Sequence, residues 1–169
     1  MSILLGLFAE LHILSSMLLL GYAVIFNLVI GPVLARGIRQ SGLKSAEFLF
    51  QAWPGVKGLA HAAVGGTGLF GLIFLGVFTN GNYSFFSTLP GMYLGLGIVL
   101  GLLAMIIGES IQIRTANKFV AAARFAVSNG QNEPTQEMKK HLKTMSAWGR
   151  ISLILLVLAA ALMIAASWV

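Results

Sequence analysis

The side chains able to do chemistry are few, and they sit inside long apolar runs. Glu10, His12 and Asn27 are the strongly polar residues of Ile3–Leu34, and no Lys or Arg occurs before Arg36. His61 stands in a second run and Glu109 and Gln112 in a third, while Arg114, Arg150 and Ser152 lie at run ends. Ionisable groups are costly in hydrocarbon, so each of these is a functional candidate. Imidazole can ligate iron or relay a proton, which makes His12 and His61 the candidate cofactor ligands. The chain has no Cys and no Asp. Thiol redox chemistry, iron–sulfur clusters and cysteine metal sites are therefore excluded. No Ser-His-acid spacing and no zinc-type His/Glu doublet occurs. The only metal left in view is haem iron.

The elements that must position these residues follow from composition. With 57% hydrophobic and 9% charged residues and a mean hydropathy of +0.88, the chain is far from the roughly 25% charge of a soluble domain. Four runs exceed a bilayer span: Ile3–Leu34, about Val56–Thr79, about Leu89–Ile113 and Trp148–Val169. Backbone in lipid must satisfy its own hydrogen bonds, and no barrel alternation is present, so each run is a helix. The first is too long for a cleavable signal, and no basic residue precedes it. The fold class is an all-α integral membrane four-helix bundle, one domain over residues 1–169.

Charge sets the expected orientation. Of the eleven basic residues, Arg36, Arg39, Lys44 and Lys57 lie by the first connection, and the other seven lie by the third. The connection Asn80–Thr88 carries none. The positive-inside rule puts both basic connections in the cytoplasm and both termini outside, in an inner (plasma) membrane. The net charge of +6 then reflects topology and anionic head groups rather than nucleic acid.

Helical spacing places His12, Ser16, Ala23 and Asn27 on one face of span one. Counted from span centres, His12 and Glu10 fall in an outer layer, with Glu10 turned away from His12 toward water. His61, Glu109, Asn27, Gln112, Arg114, Arg150 and Ser152 fall in an inner layer. The depths of the two histidines differ by about a dozen residues of rise, on the order of 20 Å. One haem clamped by both is therefore not expected. One-sided ligation, or one haem per layer, stays open, as does a structural bond from His61 to Glu109.

Span one is expected to end or kink at Gly31-Pro32. The connection Ala35–Gly55 offers a short surface helix, Ser45–Trp53, with Phe48, Leu49 and Trp53 facing lipid, and Trp53-Pro54 opening span two. Span two carries Gly58, Gly65, Gly66, Gly68, Gly71 and Gly76, and span three carries Gly97, Gly101 and Gly108 with Ala104. Such faces let backbones approach closely, predicting a tight pair of spans two and three, though they would also admit a flat macrocycle. Tyr83, Phe85, Phe86, Tyr93 and Trp168 form an expected outer aromatic belt. Beyond Ile113, Arg114, Lys118 and Arg124 alternate with apolar residues, so span three continues as an amphipathic helix to Ser128. Asn129-Gly130 ends it and Pro134 suits the next first turn. The result is a cytoplasmic helical hairpin over about 114–147, either a solvated face or a docking surface for a partner or anionic lipid.

With these residues in view, the chain resembles the small four-helix membrane proteins that include the HemJ-type protoporphyrinogen oxidases and the copper-resistance D group. The resembling parts are Leu11-His12-Ile13-Leu14 with Leu20-Gly21, the long extension of span three, and Trp148–Ala160. The resemblance implies that His12 binds b-type haem in membrane redox or haem metabolism. From other classes come a non-catalytic accessory subunit, whose glycine faces pack in a homo-oligomer or larger membrane complex, and a proton relay through His61 and Glu109.

Overall fold

The computed structural model describes residues 2–168, which are helical almost throughout. The first rod joins α1 (Ser2–Val24), a π-helical segment Ile25–Ile30 and α2 (Gly31–Ser41). A 3-10 turn, Leu43–Ala46, leads into α3 (Glu47–Thr79). A second 3-10 turn, Tyr83–Ser87, leads into α4 (Leu89–Ile107). α4 runs through another π segment, Gly108–Ile113, into α5 (Arg114–Ser128), and α6 (Gln136–Ala165) returns. The four continuous helices, 39, 37, 40 and 30 residues long, are long and apolar enough to cross a membrane.

A rod of forty residues rises about 60 Å, twice the roughly 30 Å of a bilayer core. The surplus lies at the basic end and forms a body of its own. There the π segment Ile25–Ile30, α2, the start of α3, α5 and the start of α6 bury Phe26, Leu34, Ile38, Leu49, Phe50, Trp53, Phe119 and Met145 in one cluster. Phe50 and Phe119 meet edge-on at 5.9 Å, and Phe26 lies 6.0 Å from Trp53. Taking such side chains out of water contributes roughly 1.5–3 kcal/mol each. The expected hairpin over 114–147 is thus half of a four-helix body, because the first connection is helical as well and supplies the other half.

Several local expectations change for the same reason. Leu49 and Trp53 are buried against α5 rather than turned to lipid, while Phe48 alone of the three is exposed. Pro54 lies inside α3, not at its start. Its missing amide leaves the Phe50 carbonyl free, and the Arg124 guanidinium donates to that carbonyl instead. Pro32 does not end the first rod. It follows the π segment, where the Gly31 amide already reaches five residues back to Phe26, so the proline ring enters a loosened turn. Asn129-Gly130 does end α5, with Gly130 at φ 76°. Pro134 falls before the next N-cap, Thr135, whose hydroxyl accepts from the Met138 amide.

The apolar half is paired differently from expectation. α1 packs along α3, and α4 packs along α6, with α1 touching α6 between them. The glycine faces serve these pairs. A Cβ at Gly66 would come 3.0 Å from Ser15 Cβ on α1, and one at Gly97 would come 3.0 Å from Met163 Cγ on α6. α3 and α4, though consecutive, barely touch there, and Gly58, Gly65, Gly68 and Gly76 have open space around them. At the uncharged end Phe74, Phe78, Phe85 and Phe86 form a chain of ring contacts, while Tyr83 and Trp168 point outward.

Candidate functional site

His12 sits on the α1–α3 seam. Its Nδ1 lies 3.0 Å from the carbonyl oxygen of Thr67. A carbonyl only accepts, so Nδ1 is the donor, and in a neutral ring the lone pair is then on Nε2. The ring rests on Gly71, where a Cβ would approach its Cε1 to 2.8 Å. Close backbone contact is what this glycine permits. Thr67 Oγ1 is itself buried without a hydrogen-bond partner, although buried hydroxyls are almost always paired. The sequence signalled His12, but Thr67 and Gly71 could not be found without knowing that α3 is its partner.

The inner layer is assembled by the two π segments. Asn27, in Ile25–Ile30, donates to the Ala23 carbonyl at 2.8 Å, and Gln112, in Gly108–Ile113, donates to Asn27 Oδ1 at 3.0 Å. π segments widen a helix by about one residue per turn and often mark functional positions. α6 closes over this bridge through Gly149, where any Cβ would overlap Asn27 Oδ1. Ser152 donates to the Ala104 carbonyl at 3.0 Å. Beside these groups lies a cavity of about 30 Å³, lined by Tyr22, Gln112 and Ser152 among apolar side chains. That is room for one water and for no macrocycle.

His61 on α3 meets Glu109 of the π segment Gly108–Ile113. Nδ1 lies 2.8 Å from one carboxylate oxygen and 2.9 Å from the other. The pair is on the rim, with side chains 48% and 28% exposed. Arg114 and Arg150 are exposed and stay out of the polar bridge, as does Glu10 in the outer layer. Among the described residues no group of three or more potential metal ligands clusters.

The two histidines stay apart. His12 bonds at the level of Thr67, six residues of α3 beyond His61, or about 9 Å of rise. That is half the separation expected from span centres, because α3 begins earlier than Val56. Their rings face different helices, so they form no facing pair for one iron.

His12 has the donor arrangement of a one-sided ligand. An imidazole whose Nδ1–H is anchored on a carbonyl, with Nε2 free, is the usual arrangement of a ligating histidine. His61 has the equivalent support from a carboxylate. In comparisons with known proteins, the chain matches no protein-family model, no curated protein and no solved structure.

Proposed function

We propose that the chain is a multi-pass protein of the inner (plasma) membrane, with basic connections cytoplasmic and termini outside, that holds b-type haem at His12 in membrane redox or haem metabolism. The observation that carries this reading is the His12 Nδ1–Thr67 contact of 3.0 Å, which orients the ring and frees Nε2 for a ligand. Bound haem would supply one-electron chemistry. The chain's own part is orientation by Thr67 and ring clearance by Gly71. His61, held by Glu109, is the second candidate ligand. An optical spectrum of the purified protein tests the reading. A Soret band that disappears in His12→Ala supports it, and colourless protein from haem-supplemented cells sinks it.

A second reading is a non-catalytic accessory subunit, in a homo-oligomer or a larger membrane complex. It is favoured by the open face of Gly58, Gly65, Gly68 and Gly76, which no described residue covers. Mild-detergent purification that recovers the same companion chain in fixed ratio supports it. A pigmented, monodisperse monomer removes it.

A further inference from the structure

Three pairs of residues follow one another down the seam between α3 and the π segment with α5. The upper pair is His61 and Glu109, bonded at 2.8 Å. The lower pair is Trp53 and Asn117, whose Nε1–H donates to Oδ1 at 2.7 Å. Lys57 lies four residues from both Trp53 and His61, hence on their face of α3. Across the seam, Arg114 stands three residues before Asn117 and five after Glu109. Because a π turn closes from i to i+5, Arg114 falls on the same side as both. The middle pair is therefore two cations between two hydrogen-bonded pairs. Among the described residues, neither Lys57 nor Arg114 has a carboxylate or side-chain hydrogen-bond partner.

We infer that Lys57 and Arg114 together bind the phosphate of an anionic phospholipid from the leaflet at the basic end. Like charges facing each other across a seam repel, and a shared anion turns both into charge-assisted donors. Lys57 is half-buried and Arg114 exposed, so the phosphate reaches them from outside the bundle. Directly above, α3 offers a bed for an acyl chain. No atom lies within 4 Å of a Cβ built at Gly65 or Gly68, and Leu69 and Leu72 are exposed beside them. A free phosphate shares the head-group chemistry but gains nothing from that apolar bed.

The inference rests on the bilayer placement proposed above. The test places the purified protein in nanodiscs of phosphatidylcholine containing increasing phosphatidylglycerol, and counts retained phosphatidylglycerol by native mass spectrometry. Lys57→Gln with Arg114→Gln is expected to weaken retention roughly thirtyfold, about fivefold for each cation near the surface. Lys139→Gln with Lys140→Gln removes the same charge from the start of α6, off the seam between α3 and α5, and retains wild-type binding. Equal retention by the two double variants overturns the site. So does an equal thermal shift from inorganic phosphate added to discs of phosphatidylcholine alone. Release of the protein from native membranes by carbonate without detergent overturns the bilayer placement itself.

Discussion

The Arg124 guanidinium donates to the carbonyl of Phe50, the acceptor that Pro54 leaves without an amide four residues on. α3 therefore continues through its proline because α5 supplies the missing donor. Phe50 is 1% exposed, so water has little access to that carbonyl if Arg124 is lost. Hydrogen bonds from charged donors contribute roughly 1.5–3 kcal/mol, and Arg124→Ala is expected to cost about that in denaturant unfolding. In a Pro54→Ala background the helix can close its own bond, so the cost of Arg124→Ala should fall below half. An equal cost in both backgrounds would refute the link.

Gly149→Ala is expected to break the polar bridge with a single methyl. The added carbon would overlap Asn27 Oδ1 and come 2.8 Å from Gln112 Nε2. It would force open the bridge between the two π segments. Overpacking of this kind costs roughly 1–3 kcal/mol, and an unpaired amide adds to it. Gly65→Ala, in open space, is expected to stay within about 0.5 kcal/mol of wild type. Thermal unfolding in detergent distinguishes them, and comparable melting temperatures for the two variants would contradict the packing argument.

What could be read from the residues divides along physical lines. Long apolar runs without alternation allow only helices, so four spans were legible. Ionisable groups at one depth in a poor solvent find each other, so the His61–Glu109 bond was foreseeable. Leu49 and Trp53 misled because an apolar residue near a membrane reads as lipid-facing whether it meets lipid or another helix. The π segments carry no composition of their own, and they alone bring Asn27 and Gln112 together. Glycine faces announce close packing without naming the partner, which is how α3 and α4 were paired wrongly and Thr67 and Gly71 were missed beside His12.

Asn132 joins the two connections at the basic end. Its carbonyl accepts from the Leu43 amide at 2.7 Å, its Oδ1 accepts from the Lys44 amide at 2.9 Å, and its Nδ2 donates to the Ser41 carbonyl at 3.0 Å. Gly42, at φ +76°, leaves space that a Cβ would take from Asn132. Asn132→Ala removes the two side-chain bonds and is expected to cost about 1–3 kcal/mol. Limited proteolysis should then cut near Lys44 faster than in wild type. Unchanged cleavage there would show that the clasp does not hold the loop.

The orientation of the chain rests on its charge asymmetry and is open to direct measurement. With no native cysteine, single reporters can be placed at will. Gln131→Cys lies in the exposed turn between α5 and α6, and Tyr83→Cys lies in the uncharged connection, where the side chain is 68% exposed. Lys and Arg hold their loops on the cytoplasmic side. An impermeant maleimide applied to intact cells should therefore label Tyr83→Cys and spare Gln131→Cys until the membrane is opened. The reverse pattern would invert the proposed topology and put the Lys57–Arg114 pair on the outer leaflet.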